Sequence, residues 1–352
     1  MPPHQQALVI NGVVIERDCR VTIDLPVGRL YTHTPMSMPV QIVSGKKAGP
    51  RLFICAAIHG DEINGVEIIR RVLKLPALKR LSGTVVAVPI VNLHGFINHS
   101  RYLPDRRDLN RSFPGTEKGS LAGRIAYLFM AQIVNQCTHG IDLHTGAIHR
   151  GNLPQVRANM DDPETERLAR AFNVPVIISA TLRDGSLRES AADQGMPMLL
   201  YEAGEALRFD EIGIRAGVNG IINVLRELKM LPAARGKPVR HTEPVVARSS
   251  SWVRAPDSGI LRAVMPLGGH VKKDQLLGIV ADPFGEREVQ LTSPYDGIVI
   301  GRTNLPLVNE GDALFHIARF ERVAEVATKV EEFHEEHLAE IAGMPEEEGP
   351  IV

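Results

Sequence analysis

The amino-acid sequence predicts an α/β domain with a mixed, mostly parallel sheet flanked by helices, followed by a small all-β domain. From residue 50 to about residue 230, short apolar segments alternate with amphipathic segments, and strand–helix alternation of this kind indicates a largely parallel sheet. Beyond about residue 245, the alternation gives way to short β-like segments separated by turns. With 352 residues, the chain is long enough for two domains.

Each element of the α/β domain is predicted from its own apolar pattern. Strands are expected at 51–58, 83–91, 153–160, 174–180 and 195–205, and helices at 63–75, 119–137, 162–173 and 209–230. In sheets of this kind, ligands bind beyond the carboxyl ends of the strands. Three polar groups follow apolar runs at such ends, namely His59, the segment Asp142 to His144, and Glu202. These positions are therefore the first candidates for function.

Changes in composition divide the chain into five predicted segments. Residues 231–245 contain three prolines and no apolar period, which is typical of a linker. In order, we predict a β-rich lead-in at 1–44, the α/β domain at 45–230, the linker at 231–245, the β domain at 246–320 and an acidic, partly helical tail at 321–352. The charge pattern of the tail predicts a solvated helix followed by a disordered end.

The predicted β domain contains a weak internal repeat. The segment "APDSGILRAV…HVKKDQLLGIV" at 255–280 is echoed by "SPYDGIVIGR…LVNEGDALFHI" at 293–317, about 38 residues later. Two related β halves predict a small closed sandwich, and the pattern resembles the biotinyl/lipoyl-type barrel-sandwich hybrid. Carriers of that type modify a lysine between the halves, but the connecting segment "ADPFGEREVQL" has none. We therefore expect a structural or assembly role, for example subunit contacts in a homo-oligomer.

Composition excludes several classes of partner. Lys and Arg (40) nearly cancel Asp and Glu (41), so the net charge favours neither nucleic acid nor an anionic membrane. The three cysteines are few, odd in number and widely spaced, which argues for a reducing compartment. The N-terminus lacks the pattern of a signal peptide, and no segment approaches 18 uncharged apolar residues. A cytoplasmic protein that acts on a small molecule is the expectation.

The tetrad "HGDE" stands where a predicted strand gives way to a helix. Catalytic zinc commonly takes two histidines and one carboxylate and leaves one position for water. His59 and Glu62, three residues apart on a strand-to-helix turn, are able to supply two of these ligands. Alternatively, Asp61 caps the helix and Glu62 is favoured in its first turn by the helix dipole. The tetrad alone does not separate the two interpretations.

Further polar groups at strand ends favour the metal interpretation. His144 in "GIDLHTG" is the third ligand candidate, and Asp142 is predicted to accept the other ring N–H of a histidine ligand. Glu202 in "LLYEAGE" suits a general base beside metal-bound water, although a carboxylate at a helix start is the alternative interpretation. We assign that alternative to Glu205. The site would hold one Zn2+ per chain.

The polar, arginine-rich segment 98–115 is predicted to be a loop. An arginine fork binds a carboxylate through two hydrogen bonds, so Arg111, with Asn110 beside it, is predicted to hold a substrate carboxylate. The alternative is a solvated basic loop, and we assign Arg106 and Arg107 to it because Asp105 and Asp108 balance their charge.

These motifs, taken together, resemble the succinylglutamate desuccinylase/aspartoacylase family, a branch of the zinc carboxypeptidase-like fold. The resemblance lies in His59-x-x-Glu62, "DLNR" at 108–111, "DLHTG" at 142–146 and Glu202, in the family's order and approximate spacing. It covers about residues 45–230, and the appended β domain resembles that of bacterial members. It implies zinc ligands at His59, Glu62 and His144, a general base and acid at Glu202, carboxylate binding by Asn110 and Arg111, and carbonyl polarisation by Arg101. The spacing from Arg101 to "DLNR" is longer than in the animal enzyme.

The family resemblance implies hydrolysis of a small N-acyl amino acid by metal-activated water. A zinc carboxypeptidase for short peptides is an alternative, because both reactions need zinc, a base and a carboxylate clamp. A non-enzymatic metal-binding or assembly protein is a third. A succinyl or aspartyl substrate would need a second cation, for which the candidates are Arg150, Arg157, Arg183 and Arg188. Acetylated substrates of the diaminobutyrate type are equally compatible with the sequence.

Overall fold

The computed structural model describes residues 7–180, 184–233, 244–247 and 249–342. Three predictions lie wholly or mainly outside these residues. They are the cationic role of Arg183, most of the linker at 231–245, and the end of the acidic tail beyond residue 342. Within the described part of the chain, no helix is long and apolar enough to cross a membrane.

The described residues form nineteen β-strands and seven α-helices. The strands are β1 (Leu8–Ile10), β2 (Val13–Ile15), β3 (Cys19–Arg29), β4 (Pro35–Ser44), β5 (Lys47–Ala56), β6 (Ser82–Val88), β7 (His139–Gly146), β8 (Arg150–Ala158), β9 (Val176–Ser179), β10 (Met198–Glu205), β11 (Val245–Ala247), β12 (Ser249–Arg254), β13 (Gly259–Ala263), β14 (His270–Val271), β15 (Leu276–Ala281), β16 (Glu288–Thr292), β17 (Gly297–Thr303), β18 (Leu307–Val308) and β19 (Ala313–Arg319). The helices are α1 (Asn64–Lys74), α2 (Leu93–Ile97), α3 (Leu121–Gln132), α4 (Pro163–Phe172), α5 (Leu187–Ala192), α6 (Glu211–Glu227) and α7 (Val323–Ala342). Short 3-10 helices cover Pro76–Arg80, Leu109–Arg111 and Val134–Gln136.

A mixed sheet forms the centre of the α/β region, with the order β3-β4-β6-β5-β7-β10-β8. The pairs β6/β5, β5/β7 and β7/β10 are parallel, whereas β3/β4, β4/β6 and β10/β8 are antiparallel. The predicted fold class is confirmed, since the sheet is parallel at its centre and antiparallel toward its edges. Strands β5, β7 and β10 lie side by side, so their carboxyl ends meet at one edge of the sheet.

Both faces of this sheet are covered, which explains the continuous apolar runs of its central strands. In β5, Ile54 packs into the core with α1 and α6, and Phe53 packs into the core on the opposite face with α3. The ring of Phe53 meets that of Phe129 edge-on, with centroids 5.9 Å apart. Successive strand residues point to opposite faces, so a strand covered on both sides must be apolar throughout.

The C-terminal strands form two antiparallel layers around a separate apolar core. One layer has the order β16-β15-β13-β18, and the other contains β12, β19, β17 and β14. The second layer continues the main sheet, because β17 pairs antiparallel with β8 through Gly301 and Asn152 and the two following pairs. The small all-β region of the fold prediction is confirmed, and the five-segment division remains a prediction.

Helix α7 differs from the solvated helix predicted for the tail. Val326 and Val330 on one face are buried against Leu153 of β8 and Ile298 of β17. The prediction was wrong for this face because the acidic residues that dominate the composition occupy the other one. Lys329 and Glu325 form an ion pair of 3.0 Å along the helix.

Candidate active site

The candidate site lies at the edge where β5, β7 and β10 end. After β5, the amide of Glu62 donates to the carbonyl of His59 over 3.1 Å, which closes a tight turn and brings the two side chains together. Gly60 within this turn packs against the backbone of Gly95 so closely that a Cβ atom would lie 2.0 Å from it. The turn therefore requires glycine at this position, and the strand end fixes where His59 and Glu62 point.

The helix after this turn starts later than the capping interpretation requires. Helix α1 begins at Asn64 with Ile63 in the capping position, and no side chain among the described residues caps it there. Asp61 is buried, and its carbonyl accepts a hydrogen bond from the amide of Leu207. The alternative in which Asp61 caps the helix is wrong, because the turn that carries the tetrad is completed before the helix starts.

Two histidines and one glutamate form a buried cluster. Glu62 Oε1 lies 2.7 Å from His59 Nδ1, and Glu62 Oε2 lies 2.7 Å from His144 Nδ1. One ligand atom from each of the three side chains lies within 4.8 Å of the other two. The amide of Thr145 also donates to Glu62 Oε2 over 3.1 Å. The structure thus brings together the three side chains that were predicted as metal ligands.

A carboxylate contacts the second ring nitrogen, Nε2, of each histidine. Asp142 Oδ2 lies 2.8 Å from His144 Nε2, and Asp108 Oδ1 lies 3.1 Å from His59 Nε2. Asp142 also accepts a hydrogen bond of 3.3 Å from the buried thiol of Cys55. Asp108 was missed by the sequence analysis, which assigned it to balance nearby arginines. Its place at the head of "DLNR" was the available signal.

The electrostatics of the cluster favour a positive charge at its centre. Burial acts to raise the pKa of Glu62, but His59 and His144 outweigh it and hold that pKa well below its usual range. Burial acts to lower the pKa of His144, but Asp142 and Glu62 raise it well above its ordinary value. The acids therefore stabilise positive charge in the cluster, either as protons on the imidazoles or as a bound cation.

The donor set fits a zinc ion. Two imidazole nitrogens and one carboxylate match the ligands of zinc sites that leave one position to water. Metal-ligating histidines usually donate their second ring N–H to a carboxylate, and Asp142 and Asp108 stand in that position. Nδ1 of each histidine and the Glu62 oxygens, which face each other inside the cluster, are therefore the donor atoms available to a metal.

The residues predicted to contact substrate lie beside this cluster. Arg101 donates to Asp108 Oδ2 over 2.9 Å and to Glu62 Oε1 over 3.3 Å. Asn110 accepts a hydrogen bond of 3.0 Å from the amide of Leu187, and the guanidinium of Arg111 donates to the Asn110 carbonyl. All three line one cavity with the His–Glu–His cluster.

Glu202 enters the same cavity from β10. It pairs in register with His144 on the parallel strand β7, so the two side chains lie on the same face of the sheet. Arg157 and Asn152, both on β8, contact its carboxylate. Glu205, predicted as a helix-start carboxylate, instead ends β10 and accepts a hydrogen bond of 2.9 Å from the amide of His149. That prediction was wrong because the strand continues past Glu202.

The cavity has a volume of about 520 Å³ and is closed on one side by C-terminal residues. Ser249, Ser250 and Trp252 of β12 line it, together with Arg150, Arg157 and Arg188 from the α/β region. The Trp252 ring stacks on His316 at 4.7 Å, and the Arg150 guanidinium lies 5.0 Å from the ring centre on Trp252. The sequence did not reveal which residues form this wall, and the one tryptophan of the chain was the available signal.

The protein is therefore an α/β protein with a candidate metal site at the carboxyl edge of its sheet. The site combines a buried His–Glu–His cluster with a further glutamate and several arginines in one cavity. Residues 48–228 match the family described as the succinylglutamate desuccinylase/aspartoacylase catalytic domain. The match covers more than half of the chain, and the chain belongs to this family.

Known relatives resemble most of the chain. The N-alpha-acetyl-L-2,4-diaminobutyric acid deacetylase of Halomonas elongata is 27% identical over 295 residues, which cover 80% of this chain and 85% of that protein. A succinylglutamate desuccinylase/aspartoacylase structure from Rhodobacter sphaeroides is 23% identical with a TM-score of 0.78, covering 89% of this chain and 100% of that one. The product-bound ectoine utilization protein EutE (DoeB) from Ruegeria pomeroyi is likewise 23% identical, with a TM-score of 0.78 and coverages of 89% and 99%. The two structures share the fold of this chain.

Proposed function

We propose that this protein is a zinc-dependent deacylase that hydrolyses the amide bond of a small N-acyl amino acid. The observation that carries the proposal is one cavity that contains the His59–Glu62–His144 cluster, Glu202, and the pair Asn110 and Arg111. The named activity of the Halomonas elongata relative, a deacetylase of an N-acetyl amino acid, supports the reaction class. In this proposal residues 45–230 are the catalytic domain.

His59, Glu62 and His144 would hold the ion, with Asp108 and Asp142 fixing the orientation of the two imidazoles. A bound zinc ion would supply a water of pKa about 7 and an electrophile for the carbonyl oxygen. The ligand carboxylate is already ionised, since the pKa of Glu62 is well below its usual range. The binding of the ion would displace protons from the two histidines.

The remaining residues bind the substrate or transfer protons. Arg111 and Asn110 bind the carboxylate of the amino acid and so orient the amide bond. Arg101 donates to the oxygen of the scissile carbonyl, where negative charge develops, and one well-aimed donor is worth about 3–4 kcal/mol in such a position. Glu202 accepts a proton from the attacking water and returns it to the leaving amine. The products are a carboxylic acid and an amino acid.

The size of the cavity supports a small substrate. A volume of about 520 Å³ lies within the ~300–1,000 Å³ range of small-molecule sites. The wall formed by Ser249, Ser250 and Trp252 narrows the space in which a longer peptide would extend. The substrate panel therefore includes dipeptides, so that the experiment would detect peptidase activity on them.

The test is amine release from a panel of N-acetyl and N-succinyl amino acids, Nα-acetyl-diaminobutyrate and dipeptides, with zinc-loaded protein. Glu202→Gln should retain zinc and lose nearly all turnover, and His144→Ala should lose both. Metal content is measured by atomic absorption.

If only the dipeptides are hydrolysed, the protein is a peptidase and not a deacylase. Zinc binding with no turnover of any panel member would contradict the proposal and favour a binding or assembly protein. Full activity in Glu202→Gln would remove the base assignment.

A further inference from the structure

We infer that Arg157 and Asn152 position the carboxylate of Glu202, and that C-terminal strand β17 holds Asn152 in the orientation this requires. The inference rests on the proposed function, in which Glu202 is the general base. It gives the C-terminal strands a part in the reaction, through residues that orient the base.

Each oxygen of the Glu202 carboxylate has its own partner on β8. Arg157 forms an ion pair with Oε1, in which Nε lies 3.0 Å from the oxygen without hydrogen-bond geometry, and Asn152 Nδ2 donates to Oε2 over 2.5 Å. The terminal torsion of a glutamate is broad and nearly free. A hydrogen bond to one oxygen and an ion pair to the other favour one orientation of that torsion. A carboxylate oxygen accepts more than one hydrogen bond, so a held oxygen still has capacity for a proton from water.

The strand register explains why these two residues reach Glu202. On the antiparallel pair of β8 and β10, Arg157 is opposite Leu200 and Asn152 is opposite Gly204, so they flank Glu202 on either side. The register shifts between Glu202 and Gly204. Irregularities of this kind next to active sites re-aim a side chain. The shift brings Asn152 within hydrogen-bonding distance of the glutamate.

The other side of Asn152 faces the C-terminal region. Gly301 of β17 pairs with Asn152, and a Cβ atom at Gly301 would lie 2.9 Å from Asn152 Oδ1 and 3.2 Å from His316 Cβ. Asn152 is thus enclosed between β17 and Glu202, with its amide oxygen toward Gly301 and its amide nitrogen toward the carboxylate. A side chain at position 301 would displace the amide group and with it the hydrogen bond.

Arg157 and Asn152 both line the cavity, so the experiment must distinguish positioning of the base from direct binding of the substrate. A positioning residue affects the rate of the chemical step, and its loss lowers kcat with little change in KM. A residue that binds substrate uniformly affects KM.

The experiment measures kcat, KM and zinc content for Arg157→Met, Arg157→Lys and Asn152→Ala, on the best substrate of the panel. We expect kcat to fall on the order of 10- to 100-fold in Arg157→Met and Asn152→Ala, since small misplacements of a catalytic group cost that much. KM and zinc content should be unchanged in both variants, and Arg157→Lys should recover part of kcat. Arg170→Met is the matched control, because it breaks an exposed pair with Glu166 outside the cavity.

A second comparison tests the role of β17. Gly301→Ala should lower kcat to a similar extent as Asn152→Ala, and the double variant should be no slower than Asn152→Ala alone, because both changes remove the same contact. A rise in KM with unchanged kcat in Arg157→Met would overturn the inference and make Arg157 a substrate-binding residue. Additive losses in the double variant would overturn the role of β17. If the wild type is inactive on the whole panel, the proposed function itself fails, which is a different result.

Discussion

At the scale of single residues, Glu62 and the two aspartates organise the candidate site. Glu62 contacts Nδ1 of both histidines, the nitrogens that face the inside of the cluster. Asp142 and Asp108 contact the Nε2 atoms on the outside. Each imidazole is therefore held from both sides, so its ring plane is determined by its neighbours. A metal ion that replaced the inner hydrogen bonds would find the rings already oriented.

Asp108→Asn tests the outer contact of His59. Without the carboxylate, the imidazole should be less basic and less firmly oriented, and zinc affinity should fall by about 10- to 100-fold. The measurement is competition for zinc with a chelator of known affinity. The control is Asp105→Asn in the same loop, since Asp105 accepts hydrogen bonds from the amides of Ala122 and Arg107 and does not contact His59. Equal zinc affinity in the wild type and Asp108→Asn would contradict this role.

The sequence reveals the members of the cluster more readily than their partners. His59, Glu62 and His144 could be predicted because each stands at the end of an apolar run, and parallel strand ends meet at one edge of a sheet. The Asp108 contact with His59 spans 49 residues and depends on the path of an irregular loop. Local charge balance favoured Arg106 and Arg107 as partners, whereas Arg101 and His59 are the actual ones.

At the scale of elements, a network of ion pairs joins helices α1 and α6. Arg71 contacts Glu211 through two hydrogen bonds of 2.7 and 2.8 Å and contacts Glu67 through a third of 2.7 Å. Burial acts to raise the pKa of each glutamate, but the hydrogen bonds from the arginines lower it below its ordinary value. The two helices are thus linked by charge at the edge of their apolar contact.

Because these carboxylates have lowered pKa values in the folded protein, their contribution to stability is present above the unfolded pKa of about 4.3. It is lost as the pH falls through the lower folded values. Arg71→Met should reduce the free energy of unfolding at neutral pH by about 2 kcal/mol and make stability less dependent on pH in acid. Denaturant unfolding between about pH 3 and pH 7 measures both effects. If the acid dependence of stability is unchanged in Arg71→Met, the stabilising role of these ion pairs is contradicted. The control is Arg170→Met, which breaks an exposed ion pair and should change the free energy of unfolding by less than about 1 kcal/mol.

Most elements of the α/β region could be predicted because they are long and strongly periodic. Helix α1 was expected at 63–75 and covers Asn64–Lys74, and helix α6 was expected at 209–230 and covers Glu211–Glu227. Errors arose at the ends, as for Asp61, and where composition concealed a periodic pattern, as in α7. The buried face of α7 depends on strands that precede it by up to about 170 residues, and its own sequence gives no sign of them.

At the scale of the whole molecule, the candidate site is completed by residues from both regions of the chain. The α/β region supplies the cluster, Glu202 and the arginines, and β12 supplies the wall with Trp252. The pairing of β17 with β8 could not be predicted from the sequence, because an antiparallel contact across about 150 residues leaves no local signal. The β character of the C-terminal region was predictable from its repeat, whereas its attachment to the site was not.

Trp252→Ala tests the wall. Loss of the ring opens one side of the cavity and removes the surface on which Arg150 lies. We expect kcat/KM for small N-acyl amino acids to fall about tenfold, equivalent to ~1.4 kcal/mol, and relative activity toward longer acyl groups or dipeptides to rise. Steady-state kinetics on the same panel measure both. Phe284→Ala is the control, since that ring is 87% exposed in the β15–β16 hairpin; an unchanged substrate preference in Trp252→Ala would contradict the role of the wall.

The pairing of β8 with β17 has a consequence for how the protein is made. A ribosome synthesises β8 about 150 residues before Gly301, and domains generally begin to fold during synthesis from their N-terminal end. During that interval the growing chain exposes the backbone groups of β8 that β17 later covers, and an uncovered strand edge invites pairing with other chains. Asn152 also lacks its neighbour on β17 until then. We expect the nascent protein to acquire its finished cavity only when the last third of the chain has emerged.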